Sequence, residues 1–281
     1  MTAKPQLLSH FADIAADYDA LVCDIWGVLH NGASAHAAAC DALKLFRAKH
    51  GRVVLLTNAP RPAKDLEEQF RRFGVPADCF DAIVTSGAAA RAELARRAAT
   101  GRLALLHLGP ERDRNLFAGL DVELTDVAHA ALVLCSGLYD DDSETPDDYQ
   151  AMLAELHNHG RTMLCANPDL VVQRGGKLVY CAGALAQVYE KLGGAVVYYG
   201  KPHLPIYETV HAELKGARRP LAIGDGLGTD ILGANRAGID ALFIADGIHG
   251  EDVGEFTERH MAELFATAGV HARAAMRALV W

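Results

Sequence analysis

Residues 20–32 read ALVCDIWGVLHNG. An apolar run ends on a carboxylate at Asp24, and a tryptophan (Trp26) and a glycine turn (Gly27) follow at once. A short, uninterrupted apolar run predicts a strand covered on both faces, the kind found in parallel sheets, here over residues 20–27. Working outward, apolar residues at helical spacing and a closing glycine predict a helix over 36–51. RVVLLTNAP (52–60) predicts the next strand, AKDLEEQFRRFG (63–74) a second helix, and FDAIVTSG (80–87) a third strand leading into a helix. The alternation predicts an α/β fold, a doubly wound parallel sheet with helices on both faces, whose ligand sits beyond the carboxyl ends of the strands.

The polar residues follow that rule. Asp24, Thr57 with Asn58, and Thr85 with Ser86 each come directly after an apolar run, and PLAIGDGLGTD places Asp225 at a fourth such strand end. The middle of the chain carries a separate strand and helix series, which predicts an inserted domain over 87–181 and a core built from 1–86 and 182–281.

Composition narrows the function. The 281 residues are 51% hydrophobic with a formal net charge of −9, and the basic residues are scattered, so a nucleic-acid surface is not expected. The opening residues are too polar for a signal peptide, and no apolar run is long enough to span a membrane. Six widely spaced cysteines, mostly inside apolar runs, predict reduced, buried thiols in a cytoplasmic protein.

The strand ends supply a coherent set of chemical groups. Asp24 offers a carboxylate beside the backbone N–H groups of the Gly27 turn, which can cradle phosphate oxygens. Thr57 offers a hydroxyl, and Lys201 in YYGKPHLPIY offers a cation. Asp225 and Asp230 are spaced to reach one hard cation such as Mg²⁺. Nucleophilic carboxylate, hydroxyl, lysine and Mg²⁺ are the parts of phosphoryl transfer through an aspartyl phosphate.

The ordered set DIWGVLHNG, LLTNAP, GKP and IGDGLGTD resembles the haloacid dehalogenase-like hydrolases. The long insertion, with CANPDLVV and CAGALAQVYEKLGG on its return, is similar to the α/β cap of their class IIA branch of sugar and small-metabolite phosphatases. The resemblance covers roughly 18–247 and implies an activity and a set of roles. Asp24 would be the nucleophile and a Mg²⁺ ligand. Thr57 and Lys201 would hold the phosphoryl oxygens, with Lys201 keeping Asp24 ionised. Asp225 would ligate Mg²⁺ directly, Asp230 directly or through water, and Trp26 through its backbone carbonyl. Asn58 would add to the phosphate end. Asn167 and Asp169 of the NPD turn would be either substrate contacts or turn formers. Related caps often dimerise, so the expected partners are a small phosphorylated metabolite and a second copy of the chain.

The departure is Trp26 itself. Phosphatases of this family carry a second aspartate there, which protonates the leaving alcohol and later activates water, and tryptophan can do neither. His30 is one candidate substitute, although its neighbours predict a surface loop; a substrate group, a cap residue or metal-bound water are others. Three activities follow: a Mg²⁺-dependent phosphatase, a dehalogenase-like hydrolase whose leaving group needs no proton, or a non-catalytic binder of a phosphorylated metabolite. The intact GDGLGTD motif favours the first.

Overall fold

A computed structural model describes residues 4–174, 177–247 and 254–281. In chain order, β1 (Gln6–Leu7), α1 (Ala12–Ala15), β2 (Ala20–Asp24), α2 (Ala37–Lys49), β3 (Arg52–Thr57), α3 (Ala63–Phe73) and β4 (Ala82–Thr85) come first. Next come α4 (Ser86–Ala98), β5 (Leu103–Leu108), β6 (Val122–Leu124), β7 (Leu132–Cys135), α5 (Gln150–Asn158), β8 (Thr162–Cys165), β9 (Val171–Arg174), β10 (Lys177–Tyr180), α6 (Ala182–Lys191) and β11 (Ala195–Tyr198). The series closes with α7 (Leu204–Leu214), β12 (Pro220–Gly224), α8 (Leu232–Ala237), β13 (Asp240–Ile244), α9 (Glu258–Ala268) and β14 (Ala274–Met276). The chain divides into two compact units, one of residues 1–57, 64–84 and 201–281, the other of 58–63 and 85–200.

The first unit holds a sheet in the order β1-β14-β13-β12-β2-β3-β4. Neighbours from β1 through β3 run parallel. Every residue of β2 is buried, as its unbroken apolar run requires. Helix α2 turns Ala39, Cys40, Ala42, Leu43 and Phe46 inward, whereas α3 buries only Leu66 and Phe70 and gives its charges to solvent. From β2 the chain winds outward through β3 and β4; β12, β13 and β14 then fill the other side. The winding direction reverses between β2 and β12, and the carboxyl ends of those two strands are where such a sheet takes its ligand.

The closing residues, to which the sequence reading assigns no role, complete this unit. Beyond β14, the Trp281 ring meets Phe11 edge-on at 5.9 Å and His50 at 5.8 Å, with the Lys49 ammonium 5.0 Å from its centre. The Phe11 N–H donates to Val280 O at 2.7 Å.

The second unit has its own parallel sheet, β11-β8-β7-β5-β6, and a separate antiparallel pair, β9 with β10. Adjacent residues of β5 serve opposite faces: Leu105 packs with Leu94 of α4, Leu116 and Leu132, and Leu106 with Val133, Leu153 of α5 and Leu185 of α6. Complete burial of one such leucine contributes roughly 1.5–3 kcal/mol. The expected boundary at 181/182 falls inside this unit, because β11 pairs with β8 from Ala195↔Thr162 to Tyr198↔Cys165 and carries the unit on to Gly200. Thr85, expected at a ligand crevice, instead caps α4: its hydroxyl accepts from Ala88 N–H at 2.9 Å and donates to Arg61 O at 2.6 Å. All six cysteines are free and buried, and no helix among the described residues is long and apolar enough to cross a membrane.

Candidate active site

The end of β2 delivers Asp24 and the turn after β12 delivers Asp225, on neighbouring strands at the point of reversal. A wide, π-helical turn, Leu227–Ile231, brings Asp230 back to the same place. Asp24, Asp225 and Asp230 each present a carboxylate oxygen, all within 4.8 Å of one another. All three are buried, at 7%, 2% and 6% exposure. Lys201, 4% exposed, bridges two of them: its Nζ donates to Asp24 Oδ1 at 2.5 Å and to Asp230 Oδ1 at 2.6 Å.

Glycines make room for these carboxylates. A Cβ on Gly27, whose φ is +88°, would lie 2.1 Å from Asp225 Oδ2, and one on Gly247 would come equally close at 2.1 Å. Asp225 is thus held between two bare backbones. Gly224 does the same for Asp230, whose Cβ and Cγ would be 2.3 Å from any Cβ there. The second oxygen of Asp230 accepts from Gly226 N–H at 3.1 Å and Thr229 Oγ1 at 3.4 Å.

Three buried carboxylates face one ammonium, an imbalance that sets the electrostatics. Burial first, and then the Asp230 carboxylate, push the Asp24 pKa well above the usual range, and Lys201 only partly opposes them. Lys201 acts in the direction expected of it, favouring the ionised Asp24, without offsetting burial and the Asp230 charge. For Lys201 burial disfavours the charged form, but Asp230 and Asp24 outweigh it and hold the ammonium protonated. An all-oxygen, net-negative, buried donor set fits a hard divalent cation, which would supply the missing positive charge.

The other expected residues divide between the units. Thr57, half-buried, ends β3 beside this cluster's strand. Trp26 and Gly27 follow β2 and are half-buried. The Trp26 indole lies against Gly32, with Nε1 3.3 Å from where a Cβ of Gly32 would stand. Its backbone pairs loosely with His30 through Gly27 N–H to His30 O (2.9 Å) and His30 N–H to Ile25 O (3.1 Å), a pattern that leaves the Trp26 carbonyl out. Asn58, Asn167 and Asp169 belong to the second unit. There Asn58 Nδ2 donates to Asp169 Oδ1 at 2.8 Å, and Asp169 N–H to Asn167 Oδ1 at 3.1 Å.

His30 is buried, contrary to the surface loop expected of it. Its ring packs edge-on to Phe73 at 5.0 Å and Phe70 at 6.2 Å, and its Nδ1 accepts from Gly32 N–H at 3.1 Å. Burial lowers its pKa. A neutral ring packed in this way is a poor proton donor to a leaving group. Sequence reasoning missed Gly224 and Gly247; the signal for Gly247 was there in FIADG, another apolar run ending at the same sheet edge.

Residues 21–123 match the model of the haloacid dehalogenase-like hydrolases, and residues 198–268 match a HAD-hydrolase-like model. The crystal structure of a haloacid dehalogenase-like hydrolase from Brucella suis 1330 is 40% identical, covering 98% of this chain and 100% of that one, with a TM-score of 0.82. The ribonucleotide monophosphatase NagD of Escherichia coli K12 is 27% identical over 238 residues, 83% of this chain and 89% of its own. A glycerol phosphate phosphatase from Mycobacterium tuberculosis, solved in complex with magnesium, is 25% identical over 88% of this chain and 74% of that one, with a TM-score of 0.67; it has also been solved with calcium. On this evidence the chain belongs to the haloacid dehalogenase-like hydrolases, in the class IIA branch that carries an inserted α/β cap.

Proposed function

We propose that this hydrolase is a Mg²⁺-dependent phosphatase of small phosphomonoesters that works through an aspartyl phosphate on Asp24. The observation that carries the reading is the buried cluster itself, with Lys201 between Asp24 and Asp230 and Asp225 within reach of both. Phosphatase activity in NagD and in the glycerol phosphate phosphatase supports it, as does the divalent metal in the latter's structures.

In this mechanism Asp24, Asp225, Asp230 and the Trp26 carbonyl would hold the ion. Bound there, Mg²⁺ neutralises charge on the phosphoryl group. One Asp24 oxygen attacks phosphorus in line with the ester oxygen, the P–O bond to the alcohol breaks, and the phosphoryl group resides on Asp24. Lys201 and Thr57 bind the equatorial oxygens; the Gly27 N–H, expected to join them, is already given to His30 O. Water then displaces the carboxylate at phosphorus, which releases phosphate and restores Asp24.

Neither Trp26 nor the packed His30 ring protonates the departing alcohol, so the leaving group must carry more of its own charge. General-acid help is typically worth about 10²–10⁴ in rate, and turnover should fall steeply as the alcohol becomes more basic. The test is phosphate release from a panel running from p-nitrophenyl phosphate to glycerol phosphate and nucleoside monophosphates, with and without Mg²⁺, beside Asp24→Asn. Metal-dependent release that Asp24→Asn loses is the expected result. Release that survives Asp24→Asn would refute the covalent route, and no release from any ester would refute the activity.

A further inference from the structure

The chain passes between its two units at four points, and two of them adjoin residues of the proposed reaction: Thr57 is followed by Asn58, and Gly200 by Lys201. Inside the second unit, Asn58 and Gly200 are gathered on one turn, Asn167-Pro168-Asp169, which leaves the carboxyl end of β8. The buried Asn58 donates its amide to Asp169 at 2.8 Å. Gly200 packs so tightly that a Cβ there would lie 2.5 Å from Asn58 Oδ1 and 2.5 Å from Pro168 Cδ.

The turn is itself held on three sides. Asn167 Oδ1 accepts from Asp169 N–H at 3.1 Å, and Cys165 Sγ donates to Asn167 O at 3.3 Å. Gly183 of α6 approaches so closely that a Cβ would stand 2.1 Å from Pro168 O.

We propose that the 167–169 turn is a latch that fixes Thr57 and Lys201 together, with Asn58 and Asp169 as positioning residues rather than substrate contacts. The proposal rests on the phosphatase reading of Thr57 and Lys201. Thr57 and Lys201 each lie one peptide, about 3.8 Å between Cα atoms, from a latched residue. The link is short, part-buried and charge-assisted, which makes it stiff. Loosening it moves a hydroxyl and an ammonium that must meet the same phosphoryl group, and a misplacement of about 1 Å can cost about 100-fold in rate.

The test exchanges donor and acceptor in the full-length protein. Asn58→Asp sets two carboxylates against each other; kcat for p-nitrophenyl phosphate should fall about 100-fold while KM stays within about twofold. Hydrogen exchange in peptides covering 55–60 and 198–203 should quicken. Adding Asp169→Asn restores a donor and an acceptor in reversed order, and should bring kcat back to within about fivefold of the parent with slow exchange regained. A double variant no better than Asn58→Asp alone overturns the latch. So does a loss that appears as raised KM varying with the leaving group, which marks a substrate contact. If the parent releases phosphate from no ester, the phosphatase reading fails by itself, and the exchange data still decide: exchange unchanged by Asn58→Asp overturns the latch.

Discussion

Gly27 and Trp26 are neighbours with opposite tolerances. A methyl group on Gly27 would strike Asp225 Oδ2, and its positive φ is already strained for any other residue. Gly27→Ala should therefore displace that carboxylate and weaken Mg²⁺ binding by about 10–100-fold, read by calorimetric titration. The Trp26 side chain lies against Gly32 of its own loop, and its contribution to the ion site would come from the backbone, which any residue supplies. Trp26→Asp should raise kcat for alkyl phosphates by about 10²-fold or more and change p-nitrophenyl phosphate much less; equal effects on both would show that no proton donor was missing. Asp24 and Asp225 were legible because each follows an apolar run, and Lys201 and Asp230 because of the GKP and GDGLGTD settings around them. His30 was not, since Asn31 and Gly32 after it are turn formers and its burial comes from Phe70 and Phe73, about forty residues on.

The elements were legible where one pattern dominated and illegible where pairing decided. The buried run of β2 and the one-sided pattern of α3 identify themselves. Thr85 looks like any other polar strand end, and only the start of α4 directly behind it makes it a cap. Strand β11 resembles a core strand until its partner, β8, is known. Lys201, placed just before α7, holds two carboxylates that would otherwise repel in a buried space. Lys201→Met should cost roughly 3–5 kcal/mol in urea unfolding without metal, since it strands both charges. In β5, burial pushes His107 down to about 4. Its folded pKa lies below the ordinary 6.5, so the unfolded chain binds the extra proton between those values, and stability should fall as pH drops from about 6.5 toward 4. His107→Gln should flatten that slope; an unchanged slope would assign it to other groups.

For the whole molecule, the alternating pattern announced two α/β units but not their boundary, because both follow the same rules of composition. Only the pairing partners distinguish a strand of one sheet from a strand of the other. The larger unit concentrates three carboxylates at its point of reversal, so on the proposed Mg²⁺-dependent reading the metal would stabilise the fold as well as serve the chemistry. A chelator should lower the melting temperature, and Mg²⁺ at about 100 times its Kd should add about 2.7 kcal/mol. Asp225→Asn should reduce that increment, whereas a melting point indifferent to Mg²⁺ in the parent would argue against a bound ion.

The order of strands in the larger sheet also governs how the protein can be made. Strands β2 and β12 lie side by side at the centre of that sheet, yet all of 85–200 is synthesised between them. As the chain leaves the ribosome, β2, β3 and β4 emerge before the inserted unit and must wait, with an apolar edge open, while every strand of that unit appears. The inserted sheet has its full set of partners once β11 is out. The larger sheet gains its central neighbour only with β12, and β1 finds its partner only when β14 arrives.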